Sequence, residues 1–402
     1  MSGRRTQVGI VGAGPAGLLL GQLLHLNGID SVIVENRSRD YVIDRVRAGV
    51  LEQGTVDLLH AMGVGSRLQQ RGLRHDGLSV SFRGCRHHID LAGLTGGKAI
   101  TIYGQNEVVR DLIEARAGTG RPLLFEAEHV SVGGFDSSSP EIRFRHGGVD
   151  HALHCDFIAG CDGFHGICRP SIPSGSLTVH ERQYPFAWLG ILAEAAPSSD
   201  ELVYTYHERG FALFSMRSPS MTRLYFQVPP DESIETWSDD AIWSEMLERM
   251  TTRDGWRPTV GRIIQKAVTP MRSFVATPMR HGRLFLAGDS AHIVPPTGAK
   301  GLNLAASDVL VLARALKEYF TDGRTEWLDR YPEVCARRVW KAQRFSWWMT
   351  STLHRFPDEN AFDYHRQIAD LDYLTGSRAA MTSLAEQYVG LPAEVSFESA
   401  GL

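Results

Sequence analysis

The chain has 402 residues, enough for two or three domains, and 43% of them are hydrophobic, as in ordinary globular proteins. The formal net charge of −4 excludes the basic excess of nucleic-acid-binding proteins, and no acidic run suggests a disordered tail. The five cysteines are odd in number and lack CxxC spacing, which favours buried reduced thiols and predicts no metal site.

The first predicted unit is a strand, a glycine-rich turn and a helix. Residues 6–11 form an apolar strand, and residues 18–26 form an apolar helical run. Gly12, Gly14 and Gly17 stand between them. Glycines in this pattern permit a tight turn and the close approach of a pyrophosphate.

A second predicted strand, residues 31–34, ends at Glu35. This acid stands eighteen residues after Gly17, where it can accept hydrogen bonds from ribose hydroxyls. A GxGxxG pattern alone is a weak signal, but here it lies between a strand and a helix with an acid at the expected distance. The sequence therefore predicts a dinucleotide site.

The N-terminus has one misleading feature. Arg4 and Arg5 precede an apolar run, as in a secretion signal. That run carries the glycines of the phosphate turn, so its removal would destroy the predicted cofactor site. We expect an uncleaved cytoplasmic protein with no membrane span.

The middle of the chain is predicted to be a separate sheet with little helix, because residues 203–206, 211–214 and 223–228 have strand patterns. Ser215 and Arg217 would share one strand face, with Tyr225 on a neighbouring strand. An arginine with two hydroxyls could hold a carboxylate. The competing interpretation is an arginine on a solvated face.

Residues 284–303 predict a second part of the cofactor site. An apolar strand runs into Gly288-Asp289, and a Pro-Pro-Thr-Gly turn then precedes a helix over residues 302–316. A helix start carries about half a unit of positive charge, which suits a ligand that becomes anionic, such as a reduced flavin. From residue 327 onward the pattern is helical and aromatic, which predicts a capping segment that also forms a dimer.

The predicted fold class is α/β (α+β overall). A discontinuous Rossmann-like FAD-binding domain would comprise residues 1–75, 98–180 and 270–345. An inserted β-sheet substrate domain would comprise residues 76–97 and 181–269, followed by a C-terminal helical segment at 346–402.

Three motifs carry a resemblance to a known family. Residues 12–17 with Glu35, residues 161–166 with Arg169, and Gly288-Asp289 resemble the three fingerprints of the FAD-dependent aromatic hydroxylases. The resemblance extends over almost the whole chain, through residues 47–53, 103–105, 209–212, 346–350 and 387–392.

The resemblance implies a flavin monooxygenase that uses O2 and NADPH or NADH. Through a flavin C4a-hydroperoxide it would convert 4-hydroxybenzoate into 3,4-dihydroxybenzoate. The partners it implies are a small aromatic acid, O2 and a second copy of the chain, with no nucleic acid and no membrane. Two alternatives stay open: the same chemistry on 4-aminobenzoate or 3,4-dihydroxybenzoate, and a flavoprotein that oxidises NAD(P)H without oxygenating anything.

The resemblance also assigns residues. Substrate binding falls on Ser215, Arg217, Tyr225, Tyr204 and Pro296, the last through its carbonyl. A catalytic proton relay falls on Tyr204, Tyr388 and His75, beside Pro296. Cofactor binding falls on Gly12, Gly14, Gly17, Glu35, Arg45, Arg47, Gln105, Asp162, His165, Arg223, Arg272, Asp289, Lys300, Leu302 and Asn303. Lys300 is expected to add positive potential, and His292 to be structural.

The choice of coenzyme rests on the residues just after Glu35. Tyr41 agrees with NADPH-dependent members of the family, but Asn36 stands where they carry an arginine. Arg37 and Arg39 supply cations nearby, and a 2′-phosphate needs at least one arginine. We expect NADPH, with dual use of both coenzymes as the alternative.

Overall fold

A computed structural model describes residues 4–45 and 49–402. In this part of the chain the helices are α1 (Pro15–Leu26), α2 (Arg39–Asp44), α3 (Gln53–Ala61), α4 (Ser66–Arg71), α5 (Leu91–Thr95), α6 (Gln105–Gly118), α7 (Asp239–Met250), α8 (Gly301–Asp322), α9 (Glu326–Leu353), α10 (Ala361–Gly376) and α11 (Arg378–Val389). The strands are β1 (Arg4–Arg5), β2 (Val8–Val11), β3 (Ser31–Val34), β4 (Val50–Glu52), β5 (Leu73–His75), β6 (Gly77–Phe82), β7 (Cys85–Asp90), β8 (Ile100–Ile102), β9 (Leu123–Leu124), β10 (Glu128–Gly133), β11 (Glu141–His146), β12 (Val149–His154), β13 (Phe157–Gly160), β14 (Thr178–Glu194), β15 (Val203–Thr205), β16 (Ala212–Ser218), β17 (Met221–Val228), β18 (Arg262–Thr277), β19 (Arg280–His281), β20 (Leu284–Leu286) and β21 (His292–Ile293).

A six-stranded sheet in the order β19-β20-β13-β2-β3-β9 forms the nucleotide-binding core. The five strands from β20 to β9 are parallel, and β19 is antiparallel at the edge. Strands β2, β3 and β13 are buried along their whole length, as expected of parallel strands covered by helices. Helices α1 and α8 pack together beside this sheet. The predicted Rossmann-like arrangement is confirmed.

The second large sheet has eight strands in the order β21-β18-β14-β17-β16-β15-β6-β7. It joins strands from residues 77–90 and 178–277 with β21, so it draws on both ranges predicted for the substrate domain, 76–97 and 181–269, and extends beyond them. Its pairs are antiparallel except for β15 with β6.

The two faces of this sheet have different coverings. One face packs in a core cluster with Trp243 and Met246 of α7. This helix was not expected, because the sequence predicted little helix in this region. The other face packs with Phe345 and Tyr388, which lie on α9 and α11. Hence the second face meets the C-terminal helices.

Helix α9 runs without interruption from Glu326 to Leu353. The domain boundary predicted between residues 345 and 346 therefore falls inside a helix. Among residues 4–45 and 49–402, no helix is long and apolar enough to cross a membrane. All five cysteines are free thiols, but Cys85 is exposed, so the expectation of buried thiols is wrong for that residue.

Candidate active site

The three sequence fingerprints meet at one edge of the six-stranded sheet. Strands β2, β13 and β20 are adjacent and parallel, with Val11 beside Gly160 and Gly160 beside Leu286. The turns that follow these strands therefore emerge side by side. This is the edge where open parallel sheets bind nucleotides.

The glycine turn after β2 is shaped for a ligand. Gly12 has a φ of 103°, and a Cβ there would lie 2.4 Å from the Cys161 carbonyl oxygen. A Cβ at Gly17 would lie 2.0 Å from the Gly12 carbonyl oxygen. In contrast, a Cβ at Gly14 would meet no described atom within 4 Å. The turn is tightly packed underneath and open where a pyrophosphate would lie.

Glu35 lies directly beside this turn. Its carboxylate accepts hydrogen bonds from the Ala13 backbone N–H at 2.7 Å and the Arg37 backbone N–H at 2.8 Å. Each oxygen keeps a lone pair for a further donor. The carboxylate is thus fixed where it can accept ribose hydroxyls, so the residues present fit the adenosine end of FAD.

The second fingerprint is built around Asp162 and Arg169. Asp162 Oδ2 accepts from the Cys168 backbone N–H at 2.8 Å, while its buried Oδ1 lacks a partner among the described residues. Arg169 donates to the Ser290 and Phe164 carbonyl oxygens at 2.8 and 2.6 Å. Arg169 therefore ties the second fingerprint to the third, a role that the sequence did not indicate.

Asn303 fastens the start of α8 to β4. Its side-chain oxygen accepts from the Glu52 backbone N–H at 2.9 Å, and its side-chain nitrogen donates to the Val50 and Ala299 carbonyl oxygens at 3.1 and 2.9 Å. The amide is thus occupied by the protein backbone. The backbone N–H groups of this helix start and the second lone pair of the Asn303 side-chain oxygen remain to meet a flavin.

Lys300 is buried and paired. Its Nζ lies 2.7 Å from Glu52 Oε1 and contacts the Gln387 and Tyr388 carbonyl oxygens. Arg338 reaches the other Glu52 oxygen at 3.2 Å. Burial lowers the pKa of the Lys300 ammonium, and Glu52 opposes that effect. The positive potential expected at Lys300 stays a prediction: Glu52 pairs with both Lys300 and Arg338, so the three side chains together carry one net positive charge.

The predicted substrate residues share one face of the eight-stranded sheet. Ser215 is directly opposite Arg223, and Leu213 is directly opposite both Tyr225 and Tyr204 on its two neighbouring strands. Directly opposite residues point to the same face, as do residues two apart on one strand. Ser215, Tyr225, Tyr204 and Arg223 are therefore brought together.

Arg217 completes this face and reaches Gly49, just before β4. Its Nη1 lies so close to Gly49 that a Cβ there would be 2.7 Å away. Within residues 4–45 and 49–402 the groups that act on its charge are Tyr225 and Arg223, and no carboxylate is among them. Burial lowers the pKa of the Arg217 guanidinium, and Arg223 lowers it further, against Tyr225. A cation in this state attracts an anionic ligand.

Tyr225 is tuned by the same two arginines. Arg223 Nε donates to its hydroxyl at 3.2 Å. Burial opposes ionisation of Tyr225, but Arg223 and Arg217 outweigh it and lower its pKa. A Cβ at Gly190 would lie 2.8 Å from the Tyr225 ring, so this glycine makes room for the ring.

Tyr204 and Tyr388 form what we name the tyrosine relay. Their hydroxyl oxygens are 2.5 Å apart, and both residues are buried. Burial raises the pKa of Tyr204, opposed by its bond to Tyr388, and burial raises the pKa of Tyr388. Both hydroxyls are therefore protonated at neutral pH and suited to passing a proton by exchange of hydrogen bonds.

The prediction places His75 at the solvent end of the relay and Pro296 at the reaction site. His75 is buried, and both ring nitrogens lack a hydrogen-bond partner among the described residues. Burial lowers its pKa to about 4, so its ring is neutral at pH 7. Pro296 is exposed at the start of a 3-10 turn. The carbonyl that the Tyr204 hydroxyl contacts, at 3.0 Å, is that of the next residue, Thr297.

The other predicted cofactor residues lie on several different elements. Arg47 lies outside the described residues. Gln105 begins α6, Leu302 lies in the first turn of α8, and both are half-buried, as is Asp289. The remaining predicted side chains are Arg45 and His165, which are exposed, and Arg272, whose guanidinium lies 4.7 Å from the Phe164 ring centroid.

His292 is buried and paired with Asp308, in keeping with the structural role expected for it. Its Nε2 lies 2.6 Å from Asp308 Oδ2, which also accepts from the Gly288 backbone N–H at 3.0 Å. Burial opposes protonation, but Asp308 outweighs burial and raises the pKa of His292. Among residues 4–45 and 49–402, no group of three His, Cys, Asp or Glu side chains could hold a metal ion.

The chain matches known proteins along its length. The model of the FAD binding domain family matches residues 5–346. The chain is 51% identical over 395 residues to p-hydroxybenzoate hydroxylase of Acinetobacter baylyi, with 98% of each chain covered. It is 28% identical to 6-methylpretetramide 4-monooxygenase of Streptomyces rimosus, over 84% of this chain and 80% of that protein.

A solved structure agrees with the fold. The crystal structure of p-nitrophenol 4-monooxygenase from Pseudomonas putida superposes with a TM-score of 0.84 at 19% identity and covers 99% of both chains. With the glycine turn, Glu35 and the converging fingerprints, these matches settle the family. The chain belongs to the FAD binding domain family and is an FAD-dependent monooxygenase.

Proposed function

We propose that this enzyme hydroxylates 4-hydroxybenzoate to 3,4-dihydroxybenzoate with O2 and NAD(P)H. The observation that carries the proposal is a single sheet face with a cation at one end and a relay at the other. Arg217 has no acidic partner among the described residues, and Tyr204 with Tyr388 forms a buried hydroxyl pair. An aromatic ring with a carboxylate para to a hydroxyl would place the carboxylate at Arg217 and the hydroxyl at the tyrosine pair. The relative from Acinetobacter baylyi bears the corresponding name.

At the carboxylate end, Arg217, Ser215 and Tyr225 are the proposed ligands. An arginine can donate two parallel bonds to a carboxylate, and the two hydroxyls can each add one. The substrate carboxylate would compensate the charge of the half-buried Arg217, which has no acidic partner among the described residues. This contact would fix the orientation of the ring.

At the phenol end, the tyrosine relay is proposed to take the substrate proton. A phenolate is more electron-rich at its ortho carbon than a phenol, so proton removal prepares that carbon for hydroxylation. Tyr204 would accept the proton while passing its own to Tyr388, and His75 would pass a proton onward to solvent.

The flavin supplies oxygen activation once a nicotinamide has reduced it. The residues proposed to hold it are the glycine turn, Glu35, Asp289 and the start of α8. The protein's own contribution is orientation of the substrate, a pocket that excludes water, and control of one proton.

The test is to measure O2 uptake, NAD(P)H consumption, hydrogen peroxide and catechol product for the flavin-loaded enzyme against a panel of benzoates. We expect 4-hydroxybenzoate to give one catechol per NAD(P)H with little peroxide. Benzoate, which lacks the phenol, should give no hydroxylated product. Consumption of NAD(P)H with an equal yield of peroxide and no catechol from 4-hydroxybenzoate would refute the proposal.

For the coenzyme, we propose NADPH, with Arg37 as the residue that contacts the 2′-phosphate. Arg37 is exposed and lies with its guanidinium carbon 5.1 Å from the Tyr41 ring centroid. Its backbone N–H is held by Glu35. An exposed, pre-oriented arginine is suited to binding a phosphate.

We also propose a homodimer in which α9 meets a second copy of the chain. Trp340 and Trp347 lie two helical turns apart and are 45% and 44% exposed. They line a cavity of about 400 Å³ beside Tyr184 and Val275. Exposed tryptophans of this kind are typical of interface anchors. Trp340→Glu should convert dimer to monomer in sedimentation equilibrium, whereas Phe362→Glu, at an exposed site on α10, should not.

A further inference from the structure

The Tyr204 hydroxyl has two acceptors but one proton. It lies 2.5 Å from the Tyr388 hydroxyl and 3.0 Å from the Thr297 carbonyl oxygen. When Tyr204 donates to Thr297, the short contact with Tyr388 requires Tyr388 to be the donor. Tyr204 can pass a proton outward only when it donates to Tyr388 instead. The Thr297 carbonyl therefore competes with the relay.

The Thr297 carbonyl is held by its own side chain. Thr297 Oγ1 lies 2.9 Å from Thr350 Oγ1, and both residues are 0% exposed. Thr350 Oγ1 donates its proton to the Ser346 carbonyl oxygen one helical turn earlier, at 2.7 Å. Thr350 must then accept the Thr297 hydroxyl proton. Thr350 thus anchors the 3-10 turn of Thr297 to α9.

The end of α9 that carries Thr350 is itself fixed against the substrate sheet. His354 is 0% exposed, and its Nε2 accepts from Trp188 Nε1 at 2.7 Å. Its Nδ1 therefore carries the proton and donates to the Thr350 carbonyl oxygen at 3.0 Å. The ring also stacks on Phe186 and Phe211 at 4.7 and 4.3 Å. A buried hydrogen-bonded path joins Trp188 to Tyr204 through Thr350.

We propose that Thr350 is a positioning residue for the tyrosine relay: by anchoring Thr297 it holds a competing acceptor against the Tyr204 hydroxyl and so opposes loss of the substrate's proton. The inference rests on the proposed function, because the substrate must carry a phenol next to Tyr204. It adds to the relay a fully buried residue that reaches Tyr204 through Thr297.

The direction of the effect follows from counting protons. With neutral phenol bound, the phenol donates to Tyr204, which leaves the Tyr204 proton free to bond Thr297. With phenolate bound, Tyr204 must turn its proton to the phenolate, and the Thr297 carbonyl loses its donor. A firmly held Thr297 therefore stabilises the neutral phenol. Loosening it favours the phenolate.

The titratable groups that face the relay are unchanged by a substitution at Thr350. They are Tyr388 from α11 and Tyr225 from β17, with Lys300 lying 5.7 Å from the Tyr388 ring centroid. His354 is neutral, because burial lowers its pKa to about 3. A shift in phenol ionisation can therefore be attributed to the position of Thr297.

The experiment titrates bound 4-hydroxybenzoate in the flavin-loaded enzyme, using the longer-wavelength ultraviolet absorbance of its phenolate. Thr350→Val keeps the side-chain shape but removes the hydroxyl. We expect the pKa of the bound phenol to fall by about 0.5 to 1 unit, the size of one neutral hydrogen bond. Thr350→Ser, which keeps the hydroxyl, should titrate as the wild type does.

Thr375→Val is the matched control, because Thr375 makes the same bond to a carbonyl one turn earlier, Leu371, at 2.9 Å on α10. An unchanged or raised phenol pKa in Thr350→Val, or an equal fall in Thr350→Ser or Thr375→Val, would overturn the inference. If Thr350→Val does not fold, Thr297→Val with Thr297→Ser makes the same comparison. A wild-type enzyme that binds no 4-hydroxybenzoate would instead refute the proposed function, so the two failures are distinguishable.

Discussion

The hydroxyl oxygens of Tyr204 and Tyr388 lie 2.5 Å apart, although the residues are separated by 184 positions in the chain. Tyr204 belongs to β15 of the substrate sheet, and Tyr388 belongs to α11. Their contact therefore depends on the C-terminal helices closing over the sheet. It joins the proposed chemistry to the packing of two separate parts of the molecule.

Tyr204→Phe tests this contact. We expect substrate binding and flavin reduction to persist, while most of the reducing power appears as hydrogen peroxide, because the phenol keeps its proton. Tyr388→Phe should change coupling in the same direction but less. Coupling is measured as catechol formed per NAD(P)H consumed. Wild-type coupling in Tyr204→Phe would contradict the relay.

Arg217→Ala tests the carboxylate site. A hydrogen bond to a charged group contributes about 1.5 to 3 kcal/mol, so the dissociation constant of 4-hydroxybenzoate should rise by roughly ten- to a hundred-fold or more. The bound FAD content should stay close to normal. The affinity is read from a titration of flavin absorbance, with exposed Arg262→Ala as a control on the same sheet. An unchanged affinity would remove Arg217 from the site.

The sequence was most informative where chemistry depends on neighbours in the chain. The glycine turn, Glu35 and Gly288-Asp289 each follow a strand directly, so strand patterns alone place them at a sheet edge. The alternation of Ser215 and Arg217 likewise predicts a shared face. These features need only local periodicity.

Contacts between distant segments were not predictable in this way. Glu52 pairs with Lys300 across 248 positions, and Thr297 meets Thr350 across 53. No spacing rule connects such residues, so their contacts become known only once the helices are docked. Gly49 and Gly190 are similar, because the need for a missing Cβ comes from groups that are distant in the chain. At Gly49 these are Arg217 and the Tyr103–Gly104 backbone, and at Gly190 it is the Tyr225 ring.

Two buried histidines predict how stability depends on pH. Burial lowers the pKa of His75 to about 4 and that of His354 to about 3. Both values lie below that of an unfolded histidine, so the unfolded state binds more protons as the pH falls below about 6.5. Each histidine should then reduce the free energy of unfolding by about 1.4 kcal/mol per pH unit until its folded pKa is reached.

Urea denaturation at pH 7, 6 and 5 measures this effect. His354→Gln should lower the free energy of unfolding at pH 7. Between pH 6 and 5 it should reduce the slope of that free energy with pH by the contribution of about one bound proton. His365→Gln, at an exposed position on α10, should leave the slope as it is. An equally steep slope in His354→Gln would show that His354 does not contribute to it.

Asn303→Asp changes a side chain that fastens α8 to β4. The aspartate would lose both donors and place a carboxylate against the Val50 and Ala299 carbonyl oxygens. We expect a loss of about 2 to 4 kcal/mol of stability and faster release of FAD. In the retained FAD the added negative charge should also lower the reduction potential. Asn303→Ala removes the same bonds without charge, so an equal potential in the two variants would exclude the electrostatic effect.

Arg37→Ser tests the coenzyme assignment, where this chain departs from its family pattern at Asn36. The Arg37 side chain is exposed beside Tyr41, and its backbone is held at both ends, by Glu35 and by Glu126. Loss of a charged contact to the 2′-phosphate should reduce kcat/KM for NADPH by roughly ten- to a hundred-fold. NADH lacks that phosphate, so its kcat/KM should change little. Arg39→Ser, two residues further along the chain, is the matched control. If steady-state kinetics show that Arg37→Ser lowers kcat/KM equally for both coenzymes, Arg37 does not contact the phosphate. A contact with the 2′-phosphate exists only in the NADPH complex, so its loss must affect NADPH more than NADH.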